Sequence, residues 1–345
     1  MNNYFLKILF TLFFCTIIFV VQSSFTTNKN EIKFIQPKGF PKPFYDFSKN
    51  KITEAGFKLG RKLFYDPILS KDSSTSCNSC HLQFTGFTHV DHAFSHGIGG
   101  QTGNRNSPTL QNLAWQKFFM WDGGVTNLEM QPINPIENPI EMGNKMKNVV
   151  EKLNHSYYYK TKFYQAFGDS TITGQHLLKA LSQFLVMLES TNSKYDKVKR
   201  GEEKFTANEE NGFQIFKKNC AACHTGNLLT DGTFHNTGLN YDAELKDVGR
   251  MKITQDKNDS LKFKTPTLRN IAVSYPYMHD GRFKKLEQVI DFYTEDKSKN
   301  ISVDKILKRK IILSVQEKKD VLAFLQTLTD KEFLFDLRFR DYANE

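Results

Sequence analysis

The sequence has few cysteines, little β-strand pattern and only one long apolar run. Its 345 residues contain five cysteines, too few to hold the whole chain together with disulfide bonds. Regular alternation of apolar and polar residues, which is typical of half-buried strands, is scarce. The apolar run 8–21 is short for a membrane span. A disulfide scaffold and a protein with several membrane spans are therefore excluded, and a mainly α globular fold is favoured.

The charge balance is basic, with 47 Lys and Arg against 37 Asp and Glu and a formal net charge of +10. Such an excess suits a nucleic acid, an acidic protein or an anionic surface. No helix pattern clusters Lys and Arg at base-reading positions and no base-stacking motif is present, so we expect no nucleic-acid partner. The lysines of 297–319 predict a solvated face that suits docking of an acidic protein.

Residues 1–24 have the pattern of a secretory signal peptide. Lys7 precedes the apolar run 8–21, and small residues follow the run. An uncleaved membrane anchor is the alternative interpretation. Cys15 lies inside the apolar run and is expected to be removed with the signal. The mature chain then keeps four cysteines and works outside the cytoplasm.

An internal repeat divides the rest of the chain. Residues 107–114 (SPTLQNLA) resemble residues 265–272 (TPTLRNIA), and a pair of cysteines precedes each copy. Trp121 follows the first copy and His279 follows the second copy at the same distance. Each of these two residues is followed by Asp-Gly. The matched spacing predicts two related halves. We place the halves at residues 25–195 and 196–345.

Helix signals dominate in both halves. An apolar stripe of period 3.6 over 177–188, behind the N-cap residue Thr173, predicts one helix. Capping boxes that open at Thr206 and Ser314 predict two more helices.

Long irregular segments lie between the predicted helices. The stretches 85–112 and 225–270 are rich in Gly, Asn and Pro, and loops of this length in a folded domain are usually functional or wrapped around a ligand. The polar segment 192–203 is predicted as the linker between the halves.

Both retained cysteine pairs belong to a Cys-x-x-Cys-His motif. In this motif two thioethers attach haem c, and the adjacent histidine lies beneath the iron as its proximal ligand. A redox disulfide or half a zinc site would explain a single copy, but two copies that each include the histidine favour two haem groups. The residues are Cys77, Cys80 and His81 in the first motif, and Cys220, Cys223 and His224 in the second.

Residues that handle protons follow the first motif. Three histidines, His89, His92 and His96, stand close together in the sequence, and Glu141 follows further on. A carboxylate over an open iron face can move a proton between the two oxygens of a bound peroxide, whereas taken alone Glu141 would be a surface carboxylate.

Several stretches outside the haem motifs complete a family pattern. They are Arg105-Asn-Ser-Pro108, Trp121-Asp-Gly123, Gln131 with Pro135, Glu141-Met142, Thr265-Pro-Thr267 and Tyr275-Pro-Tyr-Met-His-Asp-Gly281. With these motifs the chain resembles, over about residues 50–335, the bacterial di-haem cytochrome c peroxidases and the related methylamine-utilisation enzyme that matures a tryptophan-derived quinone. The resemblance implies two cytochrome c-like haem domains related by a pseudo-two-fold axis, a periplasmic location and a homodimer.

For the first haem, the resemblance implies a low-potential peroxidatic group with a switchable distal histidine. His96 matches this histidine, which leaves the iron when the other haem is reduced, and His89 and His92 compete for the role. The distal pocket is matched by Gln131, Pro135 and Glu141, with Glu141 as the acid–base group.

The resemblance also implies two features between the haems. Trp121 matches a tryptophan that relays electrons from one haem to the other. Asn106, with the backbone carbonyls of Ser274 and Pro276, matches a calcium site, whose hard oxygen ligands suit that ion.

For the second haem, where electrons should enter, the sequence departs from the peroxidase pattern. The peroxidases have an axial methionine fourteen residues after the histidine that matches His279, but this position holds Tyr293, as in the quinone-maturing relatives. A tyrosinate ligand stabilises ferric iron, whereas methionine raises the potential. The alternatives are that Tyr293 belongs to an apolar helix stripe with Leu286, or that Met278 is the ligand.

We therefore expect reduction of hydrogen peroxide to water, with electrons from a small cytochrome c or cupredoxin that pass through the second haem and Trp121. The alternative is a di-haem oxidase or oxygenase that stores two oxidising equivalents as high-valent haem and modifies a protein or organic substrate. Tyr293 favours this alternative, and His96 favours the peroxidase. A third hypothesis, a pure electron carrier, would not need Glu141.

Overall fold

The fold of residues 30–300 and 302–342 is described by a computed structural model; the predicted signal peptide lies outside these residues. Within them the chain forms 11 α-helices, several single-turn 3-10 helices and one sheet of two strands. The prediction of a mainly helical fold is therefore confirmed. Among the same residues, no helix has the length and apolar content needed to cross a membrane.

The regular elements are short and are numbered here along the chain. The strands β1, Phe234–His235, and β2, Phe263–Lys264, pair antiparallel. The helices are α1 Glu54–Tyr65, α2 Ile133–Glu137, α3 Met146–His155, α4 Tyr157–Phe167, α5 Gly174–Leu185, α6 Lys194–Arg200, α7 Ala207–Asn219, α8 Met251–Thr254, α9 Leu286–Thr294, α10 Val315–Gln326 and α11 Lys331–Leu334.

The predicted helix starts are confirmed. Thr173 accepts a hydrogen bond from His176 N at the start of α5, and capping boxes at Thr206 and Ser314 open α7 and α10. Each box satisfies backbone N–H groups that have no partner inside the helix. The loop 85–112 contains no α-helix, as expected, whereas α8 and both strands lie within 225–270.

The first half is built around the crossing of α1 and α5. Both helices bury an apolar face, and a Cβ on Gly60 would lie only 2.0 Å from the carbonyl oxygen of Ala180, so glycine is required at the point of closest approach. Phenylalanine rings fill the core beside this crossing, including Phe64, Phe87 and Phe184. The C-terminal segment returns to this core through Phe333 and Phe339.

The second half repeats this packing between α7 and α10. A Cβ on Gly212 would lie 1.9 Å from the carbonyl oxygen of Asp320, and the Cβ of Phe324 is the next neighbour. Phe184 occupies the same position relative to Gly60 in the first half. Two helix pairs that cross at a glycine, one in each half, support the prediction of two related halves.

The internal repeat also has one backbone conformation in both copies. Asn112 (φ 57°) and Asn270 (φ 58°) both adopt the left-handed conformation before a single-turn 3-10 helix. Met120 (φ 66°) and Met278 (φ 73°) do so in the two Asp-Gly turns. The division at residues 195 and 196 stays a prediction, and it falls inside α6.

The segment 192–203 is more ordered than the linker interpretation implies, because most of it forms α6. Asp196 of this helix is buried and receives two hydrogen bonds from the guanidinium of Arg269, at 2.8 and 2.6 Å. Arg269 is fully buried, and its Nε also donates to the carbonyl oxygen of Asn227. A buried ion pair therefore fastens α6 to the loop of the second half.

Replacing Asp196 by Ala should destabilise the fold by about 3–5 kcal/mol, because the charge of Arg269 would stay buried without its partner. Urea denaturation of the haem-loaded protein measures this loss. Glu54→Ala, which removes an exposed i,i+4 pair with Lys58, is the control and should leave stability nearly unchanged. An equal loss in both variants would contradict the prediction.

The contribution of this pair should also depend on pH. Burial opposes ionisation of Asp196, but the Arg269 guanidinium prevails and holds the pKa of the carboxyl below its usual value. A carboxyl with a lowered folded-state pKa adds stability above its unfolded pKa and loses it as the pH falls through the folded value. The difference between wild type and Asp196→Ala should therefore shrink in acid, and denaturation across that range tests it.

Candidate functional site

The first Cys-x-x-Cys-His motif forms a single helical turn, Cys77–Ser79, that ends at Cys80. His81 Nδ1 donates a hydrogen bond to the carbonyl oxygen of Phe87 at 2.8 Å. The fully buried Phe87 ring holds that carbonyl in place against the aromatic core. The hydrogen bond at Nδ1 orients the imidazole and leaves Nε2 as the nitrogen for a metal.

The second motif repeats this arrangement at the end of α7. Cys220 is the C-cap residue of the helix, and His224 Nδ1 donates to the carbonyl oxygen of Leu229 at 3.1 Å. The Leu229 side chain is fully buried, like that of Phe87. Both predicted proximal histidines are therefore held by a backbone acceptor of an apolar residue five or six positions further on.

A cavity of about 600 Å³ surrounds the second motif. We call it the second-haem cavity. Its volume lies in the range of cofactor pockets, and Cys220, Cys223 and His224 line it together with apolar side chains. Two sulfur atoms and an oriented imidazole beside an apolar cavity fit the chemistry of a covalently attached haem.

Glu141 lies beside the first motif. Its Oε1 accepts a hydrogen bond from Asn138 Nδ2 at 2.7 Å, and burial raises the pKa of the carboxyl despite this bond. Burial also raises the pKa of the Cys77 and Cys80 thiols, and the Glu141 carboxylate adds to the effect. The carboxyl group therefore lies near the haem-attachment turn, and the Asn138 amide orients it.

The turn that follows α2 brings the other predicted distal residues close to Glu141. Met142 N donates to the carbonyl oxygen of Pro135 at 3.1 Å, so the chain doubles back beside α2. Gln131, just before α2, directs its amide Nε2 towards Met120 Sδ at 3.8 Å. Gln131, Pro135 and Glu141 thus lie on one short helix–turn unit.

The three histidines form a row on one loop. The ring centroids of His89 and His92 are 5.8 Å apart, and those of His92 and His96 are 5.1 Å apart. Within the described part of the chain, the buried Nδ1 of His89 has no hydrogen-bond partner. His92 and His96 are exposed.

Of this row, His96 stands closest along the chain to the contact with Glu141. Ile98 N donates to the Glu141 carbonyl oxygen at 2.8 Å. A Cβ on Gly97 would lie 2.6 Å from the Glu141 Cα, so the loop passes directly over the carboxylate-bearing turn and requires glycine there.

Trp121 lies where the two halves meet. Its indole Nε1 donates to the carbonyl oxygen of Asn106 at 2.8 Å, and its own carbonyl oxygen accepts from Lys264 N at 2.8 Å. The Trp121 side chain lines the second-haem cavity. The predicted calcium ligands Asn106, Ser274 and Pro276 line the same cavity.

Both candidates for the second axial ligand line the second-haem cavity. Tyr293 is on α9, and its neighbours on the predicted apolar stripe, including Leu286 and Ile290, face the cavity too. The stripe therefore forms a cavity wall. Burial, with a smaller effect of Cys220 and Cys223, raises the pKa of Tyr293 above its usual value. Met278 reaches the cavity from the second Asp-Gly turn.

Sequence reasoning placed Arg105 and Asp122 in family motifs but missed the ion pairs that fasten these loops. Arg105 donates from Nε and Nη2 to Asp247, at 2.6 and 2.7 Å, and from Nη1 to Asp122 at 2.6 Å. Asp122 follows Trp121, so the arginine secures the tryptophan turn to the long loop of the second half. Asn138 was missed as well, although it stands three residues before Glu141.

Family comparisons agree with this geometry. The di-haem cytochrome c peroxidase family model matches residues 54–204, and the cytochrome c model matches residues 209–329. MauG, a methylamine utilization protein of Methylorubrum extorquens, is 36% identical over 303 residues, covering 86% of this chain and 83% of that protein. The chain belongs to the di-haem cytochrome c peroxidase family. Its members attach two haem c groups covalently, so this protein is a di-haem c-type oxidoreductase.

The similar proteins include both peroxidases and MauG proteins. Cytochrome c551 peroxidase of Nitrosomonas europaea is 33% identical over 287 residues, 81% of each chain. The crystal structure of a MauG-like protein associated with microbial copper homeostasis is 34% identical, with a TM-score of 0.83 over 90% of this chain and 99% of that one. Peroxidases and MauG proteins are both similar to this chain, so family membership establishes the di-haem class without dividing peroxidase from oxidase.

Replacing Asn138 by Ala should raise the pKa of Glu141 further, because the amide hydrogen bond lowers it in the wild type. Infrared titration of the protonated carboxyl band measures the shift, and Glu141→Gln identifies the band. Asn134→Ala, an exposed position on the same helix, is the control. An unchanged titration in Asn138→Ala would show that the hydrogen bond does not tune the carboxyl group.

Proposed function

We propose that this protein is a periplasmic di-haem peroxidase that reduces hydrogen peroxide to water with electrons from a small cytochrome c or cupredoxin. The observation that carries the proposal is the partly buried carboxyl group of Glu141, which Asn138 holds beside the first haem-attachment turn. An electron carrier has no use for such a group, whereas cleavage of a peroxide bond requires a group that accepts and returns a proton.

The proton chemistry belongs to the first half. When bound, the haem groups supply the electron transfer and the site at which peroxide reacts. Reduction of one peroxide consumes two electrons and two protons and yields two waters. Glu141 accepts the proton from the inner oxygen of the peroxide and returns it to the outer oxygen as water leaves. Burial raises the pKa of this carboxyl, so its two protonation states lie closer in energy, as a shuttle requires. Gln131 orients the peroxide.

The electron path belongs to the second half and to the contact between the halves. The second haem would take up the electrons from the donor protein. Trp121 would relay them, because its indole and backbone bond to both halves through Asn106 and Lys264. His96 would be the distal ligand of the first haem, released on reduction. Asn106 and the backbone carbonyls of Ser274 and Pro276 would hold a calcium ion, which would stiffen this contact.

A second candidate function is a di-haem oxidase that modifies a protein or organic substrate. Tyr293 favours it, because a tyrosinate ligand at the second haem would stabilise ferric iron and hinder electron entry from ordinary cytochromes. The position of Tyr293 in the wall of the second-haem cavity is compatible with this role. The periplasmic location, the calcium ion and the homodimer stay predictions.

Replacing Glu141 by Gln should lower the rate of peroxide consumption by about 10²–10⁴-fold, the usual contribution of a general acid–base group. Steady-state turnover with a reduced small cytochrome measures the rate. The exposed Glu151→Gln is the matched control and should turn over normally. An unaffected rate in Glu141→Gln would remove this residue from the mechanism.

Replacing Tyr293 by Phe should change the low-spin electron paramagnetic resonance signal of the second haem and abolish any tyrosinate band in its resonance Raman spectrum. The loss of an anionic ligand should also raise the potential of this haem. Met278→Leu is the matched control for the competing ligand. An unchanged signal in Tyr293→Phe, with a changed one in Met278→Leu, would assign the ligand to the methionine.

A further inference from the structure

Lys264 brings a positive charge to the wall of the second-haem cavity. This residue is the second of strand β2, and its backbone N donates to the carbonyl oxygen of Trp121 at 2.8 Å. Its ammonium group donates to Gln116 Oε1 at 2.6 Å and to the carbonyl oxygen of Phe118 at 2.9 Å. The lysine and both of its acceptor residues line the cavity. The charge is therefore part of the wall of this cofactor cavity.

Both acceptors of this ammonium group are neutral. Burial lowers the pKa of Lys264 to about 8, and no carboxylate of the described residues raises it. A buried charge without a counter-ion is unfavourable, so buried cations in proteins are normally paired. The buried Lys297 follows this rule, because it forms an ion pair with Glu295 at 3.5 Å. Lys264 differs, since the described residues supply it with no carboxylate.

The cavity wall has no carboxylate to spare for Lys264. Among the described residues that line the cavity, Asp231 is the one acidic side chain. Its carboxylate is already engaged, because it accepts from His235 Nε2 at 2.9 Å and from Thr233 Oγ1 at 2.8 Å. An ammonium group has three hydrogens to donate, and the two neutral acceptors take up two of them. The third hydrogen and the charge are left for a group that enters the cavity.

The cofactor of the family carries the complementary charge. A haem c group is largely apolar and has propionate carboxylates at one edge of the porphyrin. A hydrogen bond between an ammonium group and a carboxylate is roughly twice as strong as one between neutral groups. A propionate is therefore the kind of acceptor that the protein itself does not supply to Lys264.

We propose that Lys264 binds a propionate of the second haem, and that Gln116 and the Phe118 carbonyl hold the ammonium group in position for it. This role follows from the haem groups that family membership establishes, and it does not require peroxide to be the substrate. The competing explanation is that Lys264 only ties segment 116–118 to strand β2. A tie would affect stability alone, whereas a cation bound to a propionate also shifts the potential of the haem.

A lysine bound to a propionate should raise the potential of the second haem. Ferric haem carries one more positive charge than ferrous haem, and a nearby cation disfavours the oxidised state where water screens the charges poorly. This effect opposes that of a tyrosinate ligand, which stabilises ferric iron. With Tyr293 as the ligand, Lys264 would keep the second haem reducible.

Three variants of the haem-loaded protein test this role. Lys264→Met removes the charge at nearly constant side-chain length, and Lys264→Arg keeps the charge. Lys262→Met is the matched control, because Lys262 lies on the same segment, pairs with Asp259 at 3.2 Å and is not among the residues that line the cavity.

Two measurements report on the haem and not on turnover. Spectroelectrochemical titration gives the potential of each haem, and His224→Met identifies the spectrum of the second. Cells supplied with δ-aminolaevulinic acid that is ¹³C-labelled at its carboxyl group produce haem with labelled propionates. Infrared difference spectroscopy then follows the propionate carboxylate bands in each variant.

In Lys264→Met, the ratio of reduced to oxidised second haem at a fixed potential should fall at least about 10-fold, which corresponds to a potential lower by about 59 mV. Lys264→Arg and Lys262→Met should stay within about 2-fold of wild type, because both keep a cation at the cavity wall. A labelled propionate band should shift in Lys264→Met and also in Lys264→Arg, since a guanidinium donates in a different geometry. No band should shift in Lys262→Met.

An unchanged potential in a folded, haem-loaded Lys264→Met would overturn the proposal and leave Lys264 with a structural role alone. An equal fall in Lys262→Met would also overturn it, because net charge would then explain the effect. If Lys264→Met does not fold or load haem, Lys264→Arg decides: a shifted propionate band supports the binding, and unchanged bands contradict it. None of these readouts depends on peroxide turnover, so failure of the proposed function would leave the role of Lys264 standing.

Discussion

Buried hydrogen bonds between the two copies of the internal repeat fix the two haem-attachment sites relative to each other. Gln111 of the first copy donates to the carbonyl oxygen of Arg269 at 2.6 Å and accepts from Asn270 of the second copy. Asn270 is fully buried, and its Oδ1 accepts from Asp330 N at 2.7 Å. A buried polar group without a partner costs about 1–3 kcal/mol, so the two copies fit together in one register only. The Trp121 contact and the second-haem cavity depend on that register.

The two halves share one scaffold and differ in the side chains that it presents. Each half crosses two helices at a glycine and orients one histidine through a backbone carbonyl. The first half adds a carboxyl group near its haem-attachment turn, and the second adds a tyrosine in its cavity wall. One scaffold can therefore offer different side chains to its two haem-attachment sites.

Local chemistry could be predicted from the sequence, but long-range pairing could not. The haem-attachment motifs and the capping boxes at Thr206 and Ser314 act over a few residues, so their spacing alone predicts them. Segment 192–203 appears polar and linker-like until Asp196 meets Arg269, 73 residues away. The bond between Arg105 and Asp247 spans 142 residues. The sequence around either partner contains no pattern that predicts such a pair.

By itself, the sequence determined the covalent plan of this protein: two haem-attachment motifs, two related halves and the residue types available to each site. Covalent attachment and capping need only neighbours along the chain. The tertiary structure alone decided which of these residues act together. It turned the helix stripe that contains Tyr293 into the wall of a cavity, and it brought Glu141 near Cys77, which is distant along the chain.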